Sequence, residues 1–265
     1  VETSVRQWEI ALDTAVSSLR DAETYTLAAE IRDGDAVVKR ITGEPFRASA
    51  LENGRLVVRD AWRPDKLWDT HTPQNQYDLT LSLLDAAGRV LDESHPVRFG
   101  FREFRVDGRD VRLNGTRITF FATPLDVGEV SAHAASYQTA LKMFRRLQGV
   151  GINLMYTHNY SCIPGAHISF DEILRAADDV GMLVSFSQPQ FNDYDWEAPD
   201  AEATNGYAED AAWYVRRAQN HPSVIMYSTS HNATGTSQQQ NPDYLDSRSA
   251  PWPHPDDPAL RNDNR

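Results

Sequence analysis

Four polar clusters carry the side chains best suited to chemistry in this sequence, and each follows a short apolar run. "PLDVGEV" holds Asp126 and Glu129, and "MYTHNY" holds Tyr156, His158, Asn159 and Tyr160. "SQPQFNDYDWE" holds Gln188, Phe191, Asn192, Asp193, Tyr194, Asp195, Trp196 and Glu197, and "STSHN" ends in His231 and Asn232. Carboxyl and imidazole groups serve as general acids or bases when they titrate near the working pH. His231 is a candidate for that role; the competing reading is a histidine held by hydrogen bonds that shapes a pocket. Asn232 can orient a ligand through its amide but cannot hand over a proton. Asp193, Asp195 and Glu197 could supply a carboxylate, although acidic loop residues are usually just solvated. His158, Cys162 and His167 lie near one another, but their spacing matches no familiar zinc pattern, so neither metal nor other cofactor is expected.

These clusters need elements to position them, and the hydrophobic period changes along the chain. Up to about residue 103 it is that of strands. In "QYDLTLSLLD", Tyr77, Leu79, Leu81 and Leu83 fall on one face. "DAAGR" is a turn, and "VLDESHPVRFGF" reads as the returning strand. "YTLAAEIRDGDAVVKRI" makes a second hairpin around Asp33-Gly34-Asp35, and "GRLVVRDAW" adds another strand. Short strands separated by turn signals predict an antiparallel β-sandwich or a small barrel.

From about residue 104 the period alternates between strand and helix. "RITFFATPL", "INLMYTH", "MLVSFSQ" and "SVIMYSTS" read as apolar strands. Between them lie three amphipathic segments. The first puts Tyr137, Ala140, Leu141, Phe144 and Leu147 on one face; the second opens with a Ser169–Glu172 capping box and buries Phe170, Ile173, Leu174 and Ala177. The third presents Tyr207, Ala211, Tyr214, Val215 and Ala218 and stops at Pro222. Repeated βα units predict a parallel sheet covered by helices, either doubly wound or part of a (β/α)8 barrel. No Gly-rich phosphate loop follows a strand, which disfavours the nucleotide-binding version.

The chain has 265 residues, 40% of them hydrophobic, and a formal net charge of -12. That balance predicts folded domains and argues against nucleic acid and anionic membrane as partners. No apolar run approaches the roughly 20 residues of a membrane-spanning helix. Cys162 is the single cysteine, so no disulfide forms within the chain. The chain begins at Val1 and stops in polar, Pro-rich sequence, so a piece of a longer protein is expected.

Three stretches, in order along the chain, resemble glycoside hydrolase family 2, the group of β-galactosidases, β-glucuronidases and β-mannosidases. The first runs from "KLWDTHTPQNQYDLTLSLLD" to "RFGFREFRVDGRDVRLNGTRI", with Gly-Phe-Arg at Gly100–Arg102 and Leu-Asn-Gly at Leu113–Gly115. The second spans "LKMFRRLQGVGINLMYTHNY" and "DEILRAADDVGMLV", and the third is "NHPSVIMYSTSHN". The resemblance implies an immunoglobulin-like β-sandwich over 1–103 and the first half of a TIM barrel over 104–265. It implies hydrolysis of O-glycosidic bonds in a poly- or oligosaccharide, and a secreted or periplasmic place. The family's fourth strand ends in Asn-Glu, with the Glu as general acid/base; here the matching residues are His231 and Asn232. Its second strand carries Arg-Thr-Ser-His-Tyr, where this chain has Tyr156, Thr157, His158, Asn159 and Tyr160. The acid after its third strand is replaced by Ser187 or Gln188. The nucleophile is expected beyond Arg265.

On this resemblance the candidate catalytic residues are His231, Asn232 and Asp193. The candidate sugar-binding residues are Asp126, Tyr156, His158, Asn159, Tyr160, Gln188, Asn192 and Trp196. The aromatic members could stack on sugar faces or simply pack in the fold. Trp62 and Trp68 are expected to be structural. Three readings stand: a glycosidase with a rewired acid, a non-catalytic carbohydrate-binding relative, and an interaction module on a scaffold. Polar groups at every strand end place the third behind the other two.

Overall fold

The computed structural model describes residues 1–126, 136–158, 170–189 and 194–228. Its first part is built from β1 (Glu2–Ser4), β2 (Glu9–Ala15), β3 (Tyr25–Asp33), β4 (Ala36–Thr42), β5 (Arg55–Ala61), β6 (Tyr77–Asp85), β7 (Val90–Glu93) and β8 (Val97–Phe99). One antiparallel sheet has the order β1-β2-β5; the other has β4-β3-β6-β7, with β8 also paired to β6. Strand alternation makes the sandwich. Tyr25, Leu27, Ala29 and Ile31 of β3 are all buried, and Ile10 and Leu12 of β2 share their core with Ile31, Leu79, Phe99 and Phe101. Trp62 sits edge-on to Tyr77 and Phe101 in that core, with ring centroids 5.1 and 5.4 Å away. Burial pushes the Tyr77 phenol up to about 12, and its hydroxyl donates to the Lys66 carbonyl at 3.0 Å.

The returning strand expected over 90–101 is broken into β7 and β8. Ser94 is the cause. Its N–H donates to the Leu81 carbonyl, and its hydroxyl oxygen accepts the Leu81 N–H that a strand carbonyl would have taken. Pro96, which has no N–H to give a ladder, follows at once.

A three-stranded meander comes next: β9 (Phe104–Asp107), β10 (Asp110–Leu113) and β11 (Thr116–Ile118), in the order β11-β10-β9. This corrects the reading of "RITFFATPL" as one strand. Arg117 and Ile118 pair antiparallel with β10, whereas the parallel sheet starts at Ala122. Asn153 holds the break: its amide donates to the Thr119 carbonyl and accepts the Phe121 N–H.

The remaining elements are β12 (Ala122–Asp126), α1 (Tyr137–Gly149), β13 (Leu154–His158), α2 (Phe170–Val180), β14 (Leu183–Ser187), α3 (Ala201–Thr204), α4 (Tyr207–Ala218) and β15 (Val224–Ser228). The four strands are parallel and stand in the order β12-β13-β14-β15. Among the described strands the order never reverses, so none of them forms the crevice of a doubly wound sheet. Ser136 caps α1 by accepting the Thr139 N–H. Ala140, Phe144, Ile173, Leu174, Tyr214 and Ala218 cover Met155, Val184 and Phe186 of the sheet, as the helical spacing predicted. Ser169 of the expected capping box lies outside the described residues.

Tight contacts join the sandwich to the parallel sheet. Trp68 is fully buried and donates from its indole nitrogen to the Asp178 carbonyl at 3.1 Å. Arg102 donates to the Pro222 and Val224 carbonyls. A Cβ on Gly100 would lie 2.5 Å from the Trp68 Cβ and 2.8 Å from that of Pro222. Gly181 ends α2 at φ +73, and a Cβ there would meet the Thr70 carbonyl oxygen at 2.3 Å. Gly181→Ala should therefore lose more than the roughly 1–2 kcal/mol of a left-handed residue alone, because backbone must also move. Urea denaturation checks this, and an unchanged midpoint would contradict it.

Glu103 is buried beneath β1. Burial by itself would raise its pKa, but the Arg6 N–H, the Ser4 hydroxyl and the Arg6 guanidinium outweigh that and hold it below the usual glutamate range. A depressed folded-state pKa contributes stability above the unfolded value and loses it as pH falls through the folded one. The melting temperatures of wild type and Glu103→Gln should thus differ most near neutrality and converge in acid. A gap that does not narrow below the glutamate range would contradict this assignment.

Candidate functional site

One face of the parallel sheet changes character from bottom to top. Near the strand starts, Leu154, Leu183 and Ile225 pack on Trp68, Leu113, Phe104, Ile118 and Phe120, so the meander closes that end with apolar side chains. Two and four residues further along β14 on the same alternation stand Ser185 and Ser187, both buried. Register pairs Tyr156 with Ser185, Ser187 with Ser228, and Asp126 with His158. The C-terminal end of a parallel sheet is where such folds place ligands, and here that end is the polar one.

Its described polar atoms form a ladder. The Ser187 hydroxyl donates to the Thr157 carbonyl, and the Ser187 N–H donates to Thr157 Oγ1 at 2.8 Å. Ser187 Oγ lies 3.0 Å from Ser228 Oγ; since the Ser187 proton is already committed, Ser228 is the donor. The Gln188 N–H then bonds the Ser228 carbonyl at 2.8 Å. Three strand ends are locked together by groups that orient and do not titrate near neutrality. Gln188 itself is 6% exposed, and neither atom of its amide has a hydrogen-bond partner among the described residues.

Trp196 is partly buried against Tyr207 at the start of α4, with centroids 5.4 Å apart. Tyr207 packs edge-on to Tyr194, whose hydroxyl donates to Asp210 at 2.6 Å. This cluster has a packing role whatever else it does. Asp195 is exposed and accepts the Glu197 N–H, and Glu197 is exposed too, in keeping with solvated loop carboxylates. Glu129, Asn159, Tyr160, Cys162, His167, Phe191, Asn192, Asp193, His231 and Asn232 lie outside the described residues. No cluster of three His, Cys, Asp or Glu suited to a metal occurs among the described residues.

Sequence reasoning missed Ser228 and Ser185. A signal existed: serines at period two in strands that are otherwise apolar. It also missed Asp178, His221 and Ser223. Asp178 Oδ1 accepts from the Ser223 N–H and hydroxyl, and Oδ2 lies 2.6 Å from His221 Nδ1. The serine meets the carboxylate rather than the imidazole, which is not the contact of a nucleophile with its base. This set precedes β15, at the opposite end of the sheet, and works as a clamp.

Residues 1–102 match the family model of glycosyl hydrolases family 2. Over those residues the chain resembles that family. It is 25% identical over 240 residues to a β-glucuronidase of Paenibacillus borealis, covering 85% of this chain and 38% of that protein. It is 26% identical over 231 residues to a β-galactosidase of Vibrio vulnificus (strain CMCP6), covering 80% of this chain and 21% of that one. The crystal structure of a Bacteroides uniformis β-glucuronidase superposes with a TM-score of 0.56 at 19% identity, over 88% of this chain and 27% of that one. The chain thus spans well under half the length of these proteins.

Ser187→Ala should cost about 1–3 kcal/mol, since it leaves the buried Thr157 carbonyl without that donor and Ser228 without an acceptor. Ser228→Ala, at the less buried of the two positions, should cost less. Denaturant titration of the two variants checks the order, and the reverse order would contradict the ladder.

Proposed function

We propose that the full-length protein is a glycosidase that hydrolyses O-glycosidic bonds in a poly- or oligosaccharide. In this reading residues 1–103 are an immunoglobulin-like sandwich, and 104–265 supply the first half of a (β/α)8 barrel. The observation that carries it is the parallel sheet, whose order does not reverse among the described strands, with its apolar start and its polar C-terminal end. Further strands would close the barrel against β12 and β15, each of which has one neighbour among the described strands. Four strands alone should therefore be inactive.

The usual retaining route needs two carboxyl groups about 5 Å apart, one nucleophilic and one cycling a proton. Asn232 stands at the proton-donor position and cannot do this. His231 then takes the acid's part, with Asp193 the first carboxylate in sequence after the third strand. Asp126, Tyr156, His158, Asn159, Tyr160, Gln188, Asn192 and Trp196 would surround the sugar. The nucleophile would come from a strand beyond Arg265. The presence of Asn232 favours a second reading, a carbohydrate-binding protein that keeps the mouth and has lost the chemistry.

Assays of full-length wild type, His231→Ala and Asn232→Glu on aryl glycosides separate the two. A rewired hydrolase predicts wild-type turnover that falls at least about 100-fold in His231→Ala, the size of a general-acid contribution. Wild-type silence, with sugar binding kept and turnover appearing only in Asn232→Glu, would establish the binding protein instead.

A further inference from the structure

We infer that a small oxyanion, a phosphate or a carboxylate, binds between the sandwich and the parallel sheet against the Arg102 guanidinium. This place lies at the strand starts, opposite the polar end, so it stands or falls apart from the sugar reading. A cavity of about 240 Å³ opens there, and Thr3, Arg102, Gln219, Asn220 and His221 help to line it. That is smaller than the roughly 300–1,000 Å³ of sites for drug-sized ligands, and it suits an ion of a few heavy atoms.

Arg102 supplies the charge. Its Nε donates to the Pro222 carbonyl at 3.0 Å and its Nη2 to the Val224 carbonyl. Those two atoms form one edge of the planar guanidinium, which leaves the Nη1–Nη2 edge for a ligand. Paired N–H groups on such an edge match two oxygens of a carboxylate or phosphate. Nη1 bonds nothing among the described residues and is not sealed from solvent. Both carbonyls are neutral, and no carboxylate pairs with Arg102 among the described residues. Holding a guanidinium out of water without a counter-ion is destabilising, and a bound anion offsets that. Asp178, whose charge reaches Arg102, already has His221 and Ser223 as partners. Glu2, also on the cavity wall, is exposed. Asn220 adds a neutral donor. Its Oδ1 accepts from the Val1 nitrogen at 2.8 Å, so the free end of the amide is its NH2 group. The anion thus joins Arg102 to the segment that leads into β15.

The test uses the full-length protein with Asn220→Asp and Arg102→Lys beside wild type. Asn220→Asp keeps the acceptor toward Val1 and makes the donor end anionic; Arg102→Lys keeps the charge and loses the paired edge. Melting temperature is followed in sodium phosphate, acetate and chloride at equal pH and ionic strength. Calorimetric titration then gives dissociation constants for phosphate and acetate. One of these two should raise the wild-type melting temperature saturably above the chloride control, because binding only the folded state stabilises it. The tighter of them identifies the anion as tetrahedral or planar. Asn220→Asp should weaken that binding at least about tenfold, the size of one hydrogen bond to a charged group. Arg102→Lys should weaken it too; if that variant does not fold, Asn220→Asp decides alone. No saturable effect of either anion beyond chloride would overturn the inference. Unchanged affinity in either folded variant would also overturn it, since the anion would then sit elsewhere.

Discussion

Asp178 is a carboxylate taken almost wholly out of water at the end of α2, and three donors converge on it from the two residues around Pro222. Burying such a charge costs several kcal/mol unless partners replace its hydration. Here they do so from the segment that leads into β15. The carbonyls of that same segment, Pro222 and Val224, are taken by Arg102 from the sandwich. Burial draws the Arg102 guanidinium below its ordinary value, and the charge of Asp178 works against that fall. The strand carrying Ser228 toward His231 and Asn232 is therefore fixed at its base by a carboxylate on one side and a guanidinium on the other.

The sandwich is consequently part of the site's foundation. Gly100, Phe101 and Arg102 act in turn: the first lets Trp68 and Pro222 close over it, the second fills the sandwich core, and the third caps two carbonyls of the parallel sheet. Trp68 reaches from the sandwich into the apolar end of the same sheet and bonds the Asp178 carbonyl. Asp179, the next residue, binds Arg98, Gln76 and Tyr137. A rigid base of this kind lets the opposite end of the sheet carry polar residues, including an amide without a described partner, while the strands keep their register.

Much of this was legible from period alone. Alternation marked β3 and β6, helical spacing gave the buried faces of α1, α2 and α4, and both follow from the fixed geometry of the backbone. What escaped was decided by contacts distant in sequence. The Ser94 hydroxyl breaks a strand by binding Leu81, and Asn153 separates β11 from β12 by reaching back to Thr119 and Phe121. The Asp178 clamp joins residues more than forty positions apart. Of the candidate site, the sequence marked which strand ends would be polar, while the link from Thr157 through Ser187 to Ser228 needed the register of three strands. His231 and Asn232, outside the described residues, rest on sequence order alone.

The central claim is that the C-terminal end of the parallel sheet is where a sugar binds. Hydrogen–deuterium exchange of the full-length protein, with and without a saturating mixture of neutral and acidic methyl glycosides, addresses it most directly. Slower exchange over residues 156–158, 185–188 and 226–232, with the sandwich strands unchanged, is the predicted result. Protection confined to residues 1–103, or none anywhere under saturation, would contradict it.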